Sequence, residues 1–198
     1  SAGGLEAIEA FFRAMPVDSG MAFVVVQHLA PDYKSMMVEL LSRKTAIPVR
    51  RAEEGMAVEA DHIYLIPPKK NLRIFHRRLL LEDQPQREGI NLPVDIFLRS
   101  LAEDQGERAV GVILSGTGSD GTRGVRAIKE WGGLVMVQDE ASAKFDGMPR
   151  AAASTGLADF VLPPDEMPPQ LVACLRHPYA SRQERQPDAL ADETGLTR

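Results

Sequence analysis

The chain has 198 residues, 44% of them apolar and 26% charged, values that suit one well-buried globular core and exclude a disordered or fibrous bulk. A net charge of -5 argues against a dedicated nucleic-acid binder, and no apolar run approaches the roughly 20 residues needed to cross a bilayer. The start lacks the basic-then-apolar layout of a secretory signal and the single Cys174 excludes an internal disulfide, so a soluble, cytoplasmic protein is expected, without membrane insertion.

Leu5, Ile8, Phe12 and Met15 fall on one face of a 3.6-residue repeat that Pro16 stops, which predicts an amphipathic helix over 3–15. A buried strand follows at 22–27. Met37, Leu40, Leu41 and Lys44 mark a second helix, and short strands are expected at 48–51, 62–66, 72–75 and 79–82. Pro93 opens a helix with Val94, Phe97, Leu98 and Leu101 inward, and an apolar strand at 109–114 runs into a glycine-rich turn. Val125, Ile128 and Trp131 mark the next helix, Gly132-Gly133 ends it, and 134–138 is a strand. A strand at 159–162 and a helix from about 165 to 177 complete the core, with Cys174 expected inside it beside Leu171, Val172 and Leu175. This alternation predicts an α/β fold, a doubly wound, mainly parallel sheet with helices on both faces and a small antiparallel insert near 60–83. Residues 1–177 read as one domain, and the polar stretch 178–198 as a solvated linker or tail.

Three chemically loaded residues sit beside apolar strands: Ser1 in Ser1-Ala2-Gly3-Gly4, His28 after 22–27, and Asp120 across the glycine-rich turn from 109–114. Open α/β sheets bind ligands outside the carboxyl ends of their strands, where distant segments converge. A serine, a histidine and an aspartate are what acyl transfer by a hydroxyl nucleophile requires. Ser1 entering Gly-Gly and a helix reads as the second half of a nucleophile elbow, whose preceding strand is expected upstream of Ser1. It reads equally as the N-cap of that helix, or as an N-terminal nucleophile using its own amine. His28 alone suits a structural hydrogen-bonding role as well as a base, whereas His62 and His76 fall in the insert and His177 near the tail.

The turn Ser115-Gly116-Thr117-Gly118-Ser119-Asp120-Gly121 suits an anion-binding nest, with Asp120 either a helix N-cap or the partner of a histidine. The same turn satisfies G-x-G-x-x-G after a strand and before a helix, with Asp139 at the end of the next strand, as in a dinucleotide-binding domain. Only one strand and one helix remain after Asp139 to complete such a half, and that reading leaves Ser1 and His28 unexplained.

Four motifs in order, Ser1-Ala2-Gly3-Gly4, Gln27-His28-Leu29-Ala30-Pro31, Val112 to Gly121 and Phe145-Asp146-Gly147-Met148-Pro149-Arg150, resemble the catalytic domain of the CheB protein-glutamate methylesterases over roughly residues 1–175. The resemblance implies hydrolysis of glutamate γ-methyl esters on chemoreceptor helices, with Ser1, His28 and Asp120 as the triad and no cofactor or metal. It places substrate and oxyanion contacts at Ala2, Gly116, Thr117 and Gly118. Phe145 and Met148 are candidates for the cleft wall, or else packing residues. The family often has Thr where Ala2 stands and Met where Thr117 stands, so backbone rather than side-chain donation is expected at Thr117. That loop resembles methylesterase domains fused to methyltransferase and sensor modules, which makes such modules candidate partners. A catalytically silent module that docks receptors or a methyltransferase is the alternative.

Overall fold

A computed structural model describes residues 2–28, 36–85 and 89–176. In chain order these form α1 (Ala2–Ala14), β1 (Phe23–Val25), α2 (Met37–Ser42), β2 (Val49–Arg51) and β3 (Ile63–Leu65), then β4 (Lys70–Phe75), β5 (Arg78–Asp83) and α3 (Pro93–Gln105). A 3₁₀ turn at Gly106–Arg108 leads to β6 (Val110–Ile113), α4 (Thr122–Glu130), β7 (Leu134–Gln138), α5 (Gly147–Ala153), β8 (Phe160–Leu162) and α6 (Met167–Arg176). Strands β1-β3-β2 form one parallel sheet and β6-β7-β8 another, while β4 and β5 form an antiparallel hairpin. The antiparallel insert is therefore narrower than expected, because 63–65 pairs in parallel with both β1 and β2.

Side-chain alternation builds two layers. Leu134 and Met136 of β7 face α1, α2 and α6 through Ile8, Phe12, Leu41 and Leu171, whereas Val135 and Val137 face α3, α4 and α5 through Leu98, Ile128 and Met148. All five residues of β7 are buried, as expected for a strand covered on both faces. The last turn of helix α1 carries Phe11 and Phe12, whose rings meet Phe23 of β1 edge-on at centroid distances of 6.4 and 5.2 Å. The hairpin anchors α3: the Ile74 N–H donates to Ser100 Oγ at 3.0 Å, and Asp104 accepts from His76 and Arg77 N–H at 2.6 and 3.2 Å. Those two turn residues have φ of +49° and +60°, the left-handed geometry that a two-residue hairpin loop needs.

Both β1 and β6 are edge strands. Between them lies an apolar cavity of about 1190 Å³, lined by Phe12, Val24, Val26, Phe97, Val112 and Leu171 among others. It reaches from Ala22 and Ala109 to His28, Ser115 and Gly4, so it runs the length of the strands. This slot explains why β1 and β6, which read as fully buried in sequence, keep half-buried residues at Val24, Val110 and Val112. It also corrects the placement of Cys174, which lines the slot and is half-buried, next to a Leu175 that is 50% exposed. The tail 178–198 and His177 lie outside the described residues.

Candidate active site

The glycine-rich turn leaves β6 and enters α4, and its buried acid is Asp120, with 3% of the side chain exposed. Its carboxylate does not cap its own helix, since the N-cap of α4 is Gly121 and has no side-chain bond. It caps α3 instead. The N-cap of α3 is Leu92, which has no cap bond of its own, and Pro93 follows at the first helical position. Asp120 supplies what is missing: Val94 N–H donates to Oδ2 at 3.0 Å and Asp95 N–H donates to Oδ1 at 2.9 Å. A carboxylate on two first-turn amides is held in position and favoured electrostatically.

The same Oδ2 meets His28 Nε2 at 2.9 Å, 92 residues away in sequence. The His28 side chain is 52% exposed, so one ring edge is held on a buried anion while the other is open to solvent. With Nε2–H donating to the carboxylate, Nδ1 is the nitrogen left to accept a proton. The structure thus brings two of the three expected residues together at the carboxyl ends of β1 and β6. Ser1 lies outside the described residues, as does Leu29-Ala30-Pro31 of the histidine motif, and the side chain of Ala2 is likewise not described. The head of α1 nevertheless abuts the glycine-rich turn. A Cβ on Gly3 would stand 3.1 Å from Ser115 Oγ and 2.9 Å from Phe145 Cδ2, a closeness that only glycine permits.

Around this pair the 145–148 segment is knitted to the turn. Gly116 N–H donates to the Phe145 carbonyl and Met148 N–H to the Gly116 carbonyl, both at 2.9 Å. Ser115 Oγ accepts from Phe145 N–H at 3.0 Å, and Gln138 Oε1 accepts from Ser115 N–H at 2.8 Å. The Gly116 amide is therefore engaged, whereas the amides of Thr117 and Gly118 have no hydrogen-bond partner among the described residues. Thr117 is exposed and Gly118 takes φ of +82°. Phe145 is 38% exposed beside Gly3, while Met148 is buried in α5 with its sulfur beneath Gly116. This knitting also disfavours the dinucleotide reading, because Phe145 and Met148 already occupy the backbone of Gly116. The start of α4 is closed as well, since Gly124 N–H donates to Asp95 Oδ1 at 2.7 Å.

Asp95 is the residue that sequence reasoning missed. It is buried, and burial first, with the neighbouring charge of Asp120 adding to it, pushes its carboxyl above the ordinary aspartate value, against the lowering effect of amide bonds. The visible signal was only an acid in the first turn after Pro93, which reads as a favourable dipole contact and not as a cap on another helix.

The CheB methylesterase family model matches residues 1–171. The chain is 39% identical over 177 residues to a protein-glutamate methylesterase/protein-glutamine glutaminase of Xanthomonas oryzae pv. oryzae, covering 87% of this chain and 49% of that protein. It is 47% identical over 126 residues to an uncharacterized 104.1 kDa protein of Rhodobacter capsulatus, which covers 64% of this chain and only 13% of that one. It thus spans about half the length of the methylesterase relatives that it matches. Among solved structures, the Thermotoga maritima CheB methylesterase catalytic domain superimposes with a TM-score of 0.79 at 28% identity, over 87% of this chain and 93% of that one. A glycine-rich helix head packed on the turn, a histidine held on a buried aspartate, and matches of this extent leave one assignment: the chain belongs to the CheB methylesterase family.

Proposed function

We propose that this protein is a serine hydrolase that removes methyl groups from glutamate γ-methyl esters of chemoreceptors in the cytoplasm, releasing methanol, with Ser1, His28 and Asp120 as its triad. The observation that supports it most is the 2.9 Å contact between a half-exposed imidazole and a buried carboxylate already held by two backbone amides. Nδ1 of His28 takes the Ser1 hydroxyl proton as Oγ attacks the ester carbonyl. Asp120 fixes the Nε2–H tautomer and stabilises the imidazolium. The Thr117 and Gly118 amides, free among the described residues, are the donors for the oxyanion. The imidazolium protonates the departing methoxide oxygen, methanol leaves, and water attacks the acyl-serine with His28 again as base. Phe145 offers an apolar contact to the receptor helix, and Met148 supports the floor under Gly116. The relatives' names also include a glutaminase, and glutamine deamidation is the same acyl chemistry with ammonia leaving.

An extended segment running into Ser1 fits the slot between β1 and β6 and joins the two half-sheets into one. Residues 1–177 then form the catalytic unit and 178–198 a linker to further modules. The small fraction of the Rhodobacter relative that this chain spans supports a fused arrangement. The reading is tested by fluorophosphonate labelling and methanol release from methylated receptor, using a polypeptide that includes residues upstream of Ser1. Labelling at Ser1 and its loss in Ser1→Ala are expected. Turnover that survives Ser1→Ala removes the serine from the mechanism, and receptor binding without labelling identifies a docking module instead.

A further inference from the structure

Asp120 and Asp95 cap each other's helices. Asp120, just before α4, accepts the Val94 and Asp95 amides at the start of α3; Asp95, in the first turn of α3, accepts the Gly124 amide at the start of α4. Neither helix has a side-chain cap from its own N-cap residue. The clasp is also tightly packed, since a Cβ on Gly124 would stand 2.5 Å from Leu98 Cβ and one on Gly121 2.7 Å from Ile113 Cδ1. Asp95 is 5% exposed. The charged side chain bearing on it is that of Asp120, and its remaining partners are the Gly121, Arg123 and Gly124 amides. An ordinary cap serves one helix, whereas these reciprocal bonds tie the starts of α3 and α4 together, so Asp95 also bears on where Asp120 sits.

We propose that Asp95 is a positioning residue for the His28–Asp120 pair, which it serves by clamping the 121–124 turn to α3 so that Asp120 Oδ2 stays on both Val94 N–H and His28 Nε2. The inference rests on the methylesterase reading for its catalytic consequence, but its geometry does not need turnover. Asp95 exchanges no proton with substrate and touches no reacting atom. Its effect is to limit how far the carboxylate moves, and misplacement of about 1 Å in such a site costs up to ~10²-fold in rate.

The test uses Asp95→Ala, Asp95→Asn and wild type, with ring-15N shifts of His28 recorded where the imidazole is neutral and kcat and KM measured on methylated receptor. In wild type the ring should be held as the Nε2–H tautomer. Asp95→Ala should show a mixture of tautomers, with kcat lowered on the order of 10- to 100-fold and KM within about twofold. Asp95→Asn keeps an oxygen toward Gly124 and should recover to within about threefold of wild-type kcat. If Asp95→Ala does not fold, Asp95→Ser, whose hydroxyl falls short of Gly124, takes its place with the same expectation. A wild-type tautomer signature in the Ala or Ser variant, together with wild-type kcat, overturns the proposal even if thermal stability drops. Absence of ester hydrolysis in wild type counts against the methylesterase reading alone, because the tautomer readout does not depend on it.

Discussion

At the scale of single residues, the arrangement divides labour between an exposed ring and a buried anion. In the proposed triad the exposure of His28 would let it reach a substrate, and the burial and amide bonds of Asp120 would keep the carboxylate in one orientation. Replacing His28 by Gln should lower kcat for methanol release on the order of 10⁶-fold, and Asp120→Asn roughly 10⁴-fold, by analogy with serine-protease triads. Equal and small losses in both variants would show that His28 does not carry the proton and that Asp120 does not assist it. Asp95 makes a separate prediction about stability. Its carboxyl lies above its ordinary value of 3.8, so the folded state holds the proton more tightly than the unfolded chain does. Stability from this group is present below pH 3.8 and lost as pH rises through the raised value. Urea unfolding across that range should therefore show wild type losing stability relative to Asp95→Asn as pH increases; a constant difference would mean that Asp95 titrates alike in both states.

At the scale of elements, the site depends on two helix starts and one loop that fit without slack. Gly124 sits where α4 crosses α3, and an added methyl meets Leu98 Cβ, Cγ and Cδ1 within 3.2 Å. Gly124→Ala should cost about 1–3 kcal/mol by overpacking and also reduce activity by displacing Asp120, measured as a lower urea midpoint with a lower kcat. A variant that loses stability but keeps full activity would uncouple the α3–α4 crossing from the site. Strand ends were legible in sequence to within a residue or two because apolar runs and glycines mark them. The caps were not legible. Asp120 in Ser119-Asp120-Gly121 reads as a cap for the helix that follows it, and only the packing of α3 on α4 shows that it serves the other helix.

At the scale of the whole molecule, the slot is the feature that sets the two half-sheets apart. In β1, Phe23 N–H donates to the His62 carbonyl and the Val25 carbonyl accepts from Ile66 N–H, so the backbone of Val24 points the other way, toward the slot. Likewise Ala109 faces β7 by accepting from Leu134 N–H, which turns the backbones of Val110 and Val112 toward the slot. Amide hydrogen exchange should be fast at Val24 and Val112 in the 198-residue chain and at least ~10²-fold slower when residues upstream of Ser1 are present. Equal exchange with and without those residues would leave the slot to some other occupant.

What the sequence by itself determined was the α/β alternation, the apolar faces of its helices, and the positions of His28 and Asp120 beside the ends of strand-like runs. These are local properties, written in periods of 2 and 3.6 residues and in glycine-marked turns, so one chain is enough to read them. Only the tertiary structure decided which nitrogen of His28 meets Asp120, that Asp95 and Asp120 exchange caps, and that 63–65 joins a parallel sheet. It also decided that Cys174 faces a slot instead of a filled core. Hydrogen bonds between residues 25 to 92 positions apart depend on how helices and sheets pack, and no short-range pattern in the chain carries that information.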